Sequence, residues 1–162
     1  MTKILGVLGA RNSMTKQNMQ NEILNPILDD LNKPVKKIIA PEEHLSSTFI
    51  ECWATRNEIQ VEMVKSDWLN YGKKAGVLRD AQIEKQSSAL LVFEGPRSRY
   101  YLELAERIAK RRPDCPVYVV YADSQVPVLL EIEAPRYAIT EKEEKEILTI
   151  PKMFAKCLIT DD

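Results

Sequence analysis

Short apolar runs recur along the chain, and between them apolar residues fall three or four positions apart. An apolar run bounded by polar residues, glycine or proline predicts a buried β-strand. Five such runs predict strands at Lys3–Leu8, Val35–Ala40, Ile59–Val64, Ala89–Phe93 and Pro116–Tyr121. The spacing of the apolar residues between the runs predicts amphipathic helices that pack on the sheet.

Four helices are predicted. The first covers 19–31 and the second 46–58, the third begins at about Ala75, and the fourth ends at about Arg112. Pro26 lies inside the first, where it should kink or restart the helix because proline has no N–H to donate. At the start of the second helix, Ser46, Ser47 and Thr48 are N-cap candidates.

Strands and helices alternate strictly up to about Tyr121, and this order predicts right-handed crossovers. We therefore predict an α/β fold, a doubly wound and mainly parallel sheet of about five strands with helices on both faces. The core should span residues 1–125. Residues 126–162 should form a C-terminal extension on the same domain, with strands at Val128–Ile132 and Tyr137–Ile139 and a capping box at Thr140 and Glu143.

Composition narrows the classes of function. The chain has 162 residues, 44% hydrophobic and 29% charged, which fits one globular domain and excludes a disordered chain. Its formal net charge of −1 provides no overall attraction to nucleic acid or membrane, so we expect no membrane partner and consider nucleic acid an improbable one. Cys52, Cys115 and Cys157 stand far apart and predict reduced thiols in the cytoplasm. With His44 as the single histidine, a His-rich metal site is excluded, and we predict no metal and no cofactor.

The stretch from Ser66 to Ile83 combines unusual residues just after the third predicted strand. Glycines that allow close approach of a ligand, aromatic rings, basic groups and an acid occur there together. In open α/β sheets ligands bind at the carboxyl ends of strands, so this stretch is a candidate site for a phosphorylated ring compound. The alternative is ordinary structure, in which Trp68 is buried, the glycines cap helices and the charges are solvated.

The residues Asp67-Trp68, Tyr71-Gly72, Ala75-Gly76 and Arg79-Asp80 closely resemble a motif of the SLOG superfamily, particularly its YspA-like branch. That superfamily also contains DprA and the Lonely guy phosphoribohydrolases. Gly9-Ala10-Arg11 is similar to its Gly-x-Arg turn after the first strand. The resemblance implies a Rossmann-like fold and a nucleotide or nucleotide-derived ligand. Relatives of this fold often self-associate, so a homodimer is also expected.

Carried over residue by residue, the resemblance implies a set of ligand-binding positions. These are Gly9, Arg11, Asp67, Trp68, Tyr71, Gly72, Gly76 and Arg79. Ser47 takes the place of an aspartate of the family and is added as a ligand-binding position. The glycine-rich Gly-Thr loop that the family has after the fourth strand is replaced here by Pro96-Arg97-Ser98-Arg99. Arg97 and Arg99 would then hold phosphate through their guanidinium groups, or they are simply solvated loop charges.

Three hypotheses about function follow. The first is a module that binds a nucleotide or nucleotide-derived small molecule at the carboxyl edge of the sheet, as a sensor, carrier or sequestering protein. The second is an N-glycosidic phosphoribohydrolase in which Arg79 and Glu103 resemble the catalytic pair of that family. The third is a non-catalytic interaction or structural protein whose pocket has degenerated.

Overall fold

A computed structural model of the chain describes residues 2–42 and 44–131. Six strands form one sheet: β1 Lys3–Leu8, β2 Val35–Pro41, β3 Gln60–Val64, β4 Ala89–Phe93, β5 Val117–Val120 and β6 Val128–Leu129. The first five strands are parallel, and β6 is antiparallel to β5. The predicted α/β fold with a mainly parallel sheet is confirmed, and the sheet gains a short sixth strand.

The strand order is β3-β2-β1-β4-β5-β6. The chain therefore moves outward from β1 to β3 and then crosses back to place β4 on the other side of β1. Leu5 of β1 pairs with Ile38 of β2 on one side and with Ala89 of β4 on the other. Because the loops after β1 and β4 lead in opposite directions, a crevice opens between them at the carboxyl edge of the sheet.

The described residues contain six α-helical segments: α1 Lys16–Asn18, α2 Asn25–Leu31, α3 Leu45–Arg56, α4 Trp68–Tyr71, α5 Ala75–Gln86 and α6 Tyr100–Arg111. A π-helical turn over Met19–Leu24 joins α1 to α2, and a 3₁₀ turn over Gly72–Lys74 joins α4 to α5. Pro26 lies in the first turn of α2, so the helix restarts there, where a missing N–H costs nothing.

The predicted N-cap of the second helix is wrong. Helix α3 begins at Leu45, and His44 has the extended conformation of a cap residue. Ser46 and Ser47 lie inside the first turn and are buried. The N–H of Ser46 donates to Oδ1 of Asn12 at 3.3 Å, so a side chain from the loop after β1 does the capping that we expected from a local serine.

Alternate residues of each central strand point to opposite faces, and each face has its own apolar layer. On one face, α2 and α3 cover residues such as Leu5 and Leu91. On the other, α5 and α6 cover residues such as Leu8 and Val92. The sheet is thus buried on both sides, as its continuous apolar runs predict.

The predicted strand at Val128–Ile132 is found in part, as β6 over Val128–Leu129. The predicted Tyr137–Ile139 strand and the Thr140–Glu143 capping box lie outside the described residues. Within the described ranges, no helix has both the length and the apolar character needed to cross a membrane.

Candidate functional site

Gly9 makes the turn that follows β1. Its φ of +75° lies in the left-handed region that favours glycine, and a Cβ added there would stand 2.6 Å from the carbonyl oxygen of Phe93. Only glycine allows this backbone to approach the end of β4 so closely. The turn therefore fixes one wall of the crevice between β1 and β4.

Arg11 ties the loop after β1 to the loop after β5. Its Nη1 donates to the carbonyl oxygen of Ser124 at 2.7 Å, and its Nη2 donates to that of Tyr121 at 2.8 Å, with a longer contact of 3.5 Å to Val120. The guanidinium thus adds side-chain hydrogen bonds to backbone carbonyls at the end of β5 and in the loop after it. Arg11 supports the shape of the loops, and much of its donor capacity is already used.

A polar cleft of about 490 Å³ lies between these loops at the carboxyl edge. The loops after β1, β4 and β5 line it through Ala10, Arg11, Asn12, Ser13, Pro96, Ala122, Asp123, Ser124 and Gln125. Its volume is within the range of small-molecule sites, and it lies where the strand order reverses. A hollow of similar volume near Asn32 and Asn57 is at the opposite, amino end of the sheet, away from this crevice.

Arg79 is at the centre of a buried polar cluster on the other side of this edge. It lies four residues from both Ala75 and Ile83, so it occupies the inward stripe of α5, and only 8% of it is exposed. Its Nε and Nη2 donate to Oδ1 of Asp80 at 3.1 and 3.0 Å, and Nη1 donates to Oγ of Ser66 at 3.1 Å.

Tyr101, at the start of α6, completes the cluster. Its hydroxyl donates to Oδ2 of Asp80 at 2.8 Å. Both carboxylate oxygens of Asp80 therefore accept hydrogen bonds, one from Arg79 and one from Tyr101. Through these contacts the cluster joins the end of β3 to α5 and α6.

Burial dominates the electrostatics of this cluster. It raises the pKa of Asp80 above the ordinary value of 3.8, although the positive charge of Arg79, the two hydrogen bonds and the charge of His44 oppose the shift. Burial and then the negative charge of Asp80 raise the pKa of Tyr101 well above its ordinary value of 10.0. The phenol therefore remains protonated and remains a donor to Asp80.

Comparison of the chain with protein-family models, with curated proteins and with solved structures found no match. The resemblance to the SLOG superfamily therefore depends on the motif residues themselves.

Asp67, Trp68 and Tyr71 belong to a different part of the rim from the cleft. The Asp67 carboxylate caps α4, because it accepts from the backbone N–H of Asn70 at 3.2 Å and from the Asn70 side-chain amide at 2.8 Å. Trp68 and Tyr71 on α4 are both more than half exposed. The alternative of a buried Trp68 is therefore wrong, because the single turn of α4 leaves its side chain in solvent.

The two motif glycines differ from Gly9. Gly72 has a φ of +54°, yet no atom lies within 4 Å of the position that a Cβ would occupy. For Gly76 the nearest such atom is Nη2 of Arg79, at 3.9 Å. Gly72 is therefore required for backbone conformation, whereas a Cβ at Gly76 would make only an ordinary van der Waals contact with Arg79.

The loop after β4 carries the remaining candidates. Arg97 and Arg99 are exposed, and Nε of Arg99 is 3.9 Å from Oε2 of Glu103, one turn along α6. Both side chains of that pair are largely exposed, so the contact is weak. Arg79 thus contacts buried partners, whereas Glu103 contacts Arg99 at the surface. Ser47 is buried in the first turn of α3.

Sequence reasoning placed Ser66 and Asp80 in the candidate stretch but not among the ligand-binding positions, and it did not assign Tyr101 at all. These three residues nevertheless form the most buried polar contacts of the cluster. One signal was available for Arg79. The i, i+4 spacing of Ala75, Arg79 and Ile83 places a charged residue in an apolar stripe, and such a charge needs a buried partner. The adjacent Asp80 was the nearest candidate, whereas no local pattern points to Tyr101, which is 21 residues away.

Proposed function

We propose that this chain binds a nucleotide or nucleotide-derived small molecule in the cleft at the carboxyl edge of its sheet. The observation that carries this proposal is the position of the cleft, between the loops after β1, β4 and β5, where the strand order reverses. Ligands of open α/β sheets bind at this position because strand ends and free backbone groups converge there.

The polar lining suits the base and ribose of such a ligand. Asn12 and Gln125 offer amide donors and acceptors, and Ser13 and Ser124 offer hydroxyl groups. The Asp123 carboxylate can accept hydrogen bonds from ribose hydroxyls. A few polar groups that converge on a small cleft are what fixes the orientation of a bound ligand.

We assign the phosphate contact to the loop after β4. Arg97 directly follows Pro96, which lines the cleft, and its side chain is exposed. Among the described residues Arg99 has a weak surface contact with Glu103, which leaves its side chain able to turn to a new partner. Arg11 and Arg79, by contrast, already donate to protein oxygens. Side-chain guanidinium groups can bind phosphate where a glycine-rich backbone cradle is missing.

Binding without catalysis is preferred to N-glycosidic hydrolysis for a geometric reason. Hydrolysis of the phosphoribohydrolase kind needs Arg79 and Glu103 to act on the same ribose. The Arg79 guanidinium contacts Asp80 and Ser66 in the interior, whereas Glu103 is exposed and contacts Arg99. The described contacts therefore favour a binding module.

We also propose that the chain is a SLOG protein that acts in the cytoplasm. Support for the family comes from the motif between Asp67 and Asp80, together with the Gly9 turn. Support for the compartment comes from Cys52 and Cys115, which are both free thiols in the described residues.

Calorimetry and thermal unfolding in the presence of nucleoside monophosphates, ADP-ribose and cyclic nucleotides test the binding. A ligand at a hundred times its Kd should stabilise the fold by about 2.7 kcal/mol. Arg97→Glu should weaken binding at least tenfold. Lys110→Glu makes the same charge change on the exposed face of α6 and should leave the affinity unchanged. If none of these ligands binds, the proposal fails. If free base is released and Glu103→Ala abolishes the release, the hydrolase is correct instead.

A further inference from the structure

Helix α4 and the first turn of α5 expose large apolar side chains. The exposed fractions are 58% for Trp68, 96% for Leu69, 54% for Tyr71, 53% for Val77 and 45% for Leu78. The two helices adjoin across the 3₁₀ turn, so all five residues lie within one short segment of the chain. We call these five residues the α4–α5 apolar surface.

The apolar area of this surface is at the upper end of what a monomer exposes. Large side chains expose about 150–250 Å² when fully open, so the five exposed fractions correspond to roughly 600 Å². Typical monomers have a largest apolar patch of about 300–600 Å², and larger patches usually mark interaction sites. Two such surfaces facing each other would bury roughly 1,200 Å², which reaches the lower limit of standard protein interfaces.

The neighbouring helix shows that the exposure is specific to this segment. Helix α6 covers the same face of the sheet, and its outward positions carry charges such as Glu103, Arg107 and Lys110. The outward positions at the start of α5 carry Val77 and Leu78 instead. Tryptophan and tyrosine are also enriched at the centres of protein interfaces.

The charge pattern favours a protein over a lipid surface. Attraction to anionic membranes needs a cluster of several basic residues, and this surface is bordered by the pair Lys73 and Lys74 together with the acid Asp67. The formal net charge of −1 means that two copies of the chain would hardly repel each other. We propose that the α4–α5 apolar surface pairs with the same surface of a second copy of this chain.

In such a pair each surface contacts its own equivalent about a two-fold axis. Leu69, the most exposed residue, contacts little in the monomer and becomes buried in the dimer. A charge at this position should therefore weaken the dimer and leave the monomer stable. The interface is independent of the proposed ligand cleft, because the two share no lining residue.

Sedimentation velocity of the full chain over a range of concentrations tests the pairing. The wild-type mass should rise from 18.6 kDa toward twice that value as the concentration increases. Leu69→Asp should raise the dimer Kd at least tenfold, and Val77→Asp should act in the same direction. Leu45→Asp is the control matched to Val77→Asp, since Leu45 is as exposed as Val77 but begins α3 on the opposite face of the sheet. It should leave the Kd unchanged.

Three results would overturn the inference. The first is a wild-type chain that remains monomeric at every concentration. The second is a dimer that Leu69→Asp does not weaken, although circular dichroism shows the variant folded. The third is a monomer that binds vesicles of phosphatidylcholine and phosphatidylserine through Leu69, which would assign the surface to lipid.

Discussion

Two arginines lie at the carboxyl rim of the sheet, and their surroundings differ in kind. Arg11 donates to neutral backbone carbonyls of the loop after β5 and is partly exposed. Arg79 is buried and faces a charged partner, Asp80, as well as the Ser66 hydroxyl. The same residue type therefore braces a loop at one position and forms a buried ion pair at the other. This difference predicts that replacing Arg79 lowers the folding stability more than replacing Arg11.

The largest effect is expected from Arg79→Met. The substitution leaves the Asp80 carboxylate buried without its guanidinium, and breaking a buried pair from one side costs about 3–5 kcal/mol. Urea denaturation would measure the loss. The double variant Arg79→Met with Asp80→Leu should recover much of it, because no uncompensated charge remains. Arg107→Ala on the exposed face of α6 is the control, with an expected change within about 0.5 kcal/mol. A loss below about 1 kcal/mol for Arg79→Met would contradict a buried pair.

A smaller effect is expected from Arg11→Ala. It removes the donors to Ser124 and Tyr121, and hydrogen bonds of this kind contribute about 1 kcal/mol each. Because Arg11 is partly exposed, water can replace some of the lost contacts. We expect a loss of about 2 kcal/mol in urea denaturation, with faster amide hydrogen exchange in the loop after β5. Arg97→Ala, in the exposed loop after β4, is the control, and it should change neither the stability nor the amide exchange of the loop after β5. Unchanged exchange in Arg11→Ala would show that Arg11 does not brace this loop.

These two arginines also show what the sequence reveals and what it hides. The strands, their parallel order and the Gly9 turn follow from apolar runs and local backbone rules, so they could be predicted. The partners of Arg11 are more than 100 residues away in the chain, and no local pattern records such a contact. The exposure of Trp68 was also hidden, because a one-turn helix has too few residues to show which of its sides is buried.

Next in size is the effect of Tyr101→Phe. The phenol donates to Asp80, and a hydrogen bond to a charged group contributes about 1.5–3 kcal/mol, with the lower value expected here because Arg79 still holds the other oxygen. Thermal or urea unfolding would measure the change. Tyr100→Phe is the matched control on the adjacent residue, whose side chain is exposed, and it should cost less than about 0.5 kcal/mol. Equal losses in the two variants would mean that the Tyr101 hydroxyl does not contribute to the cluster.

The smallest effect concerns the titration of Asp80. Burial holds the pKa of Asp80 above 3.8 in the folded chain, so between 3.8 and that raised value the folded state binds more protons than the unfolded state. The contribution of this group to stability is therefore fully present below pH 3.8 and is lost as the pH rises through the folded-state pKa.

Carbon-detected NMR of the side-chain carboxyl should give a midpoint above 3.8. In Tyr101→Phe the midpoint should move higher, because a hydrogen bond that favours the ionised form is gone. A midpoint below 3.8 in the wild type would mean that the Arg79 charge outweighs burial, and the buried cluster would then be stabilised chiefly by its ion pair.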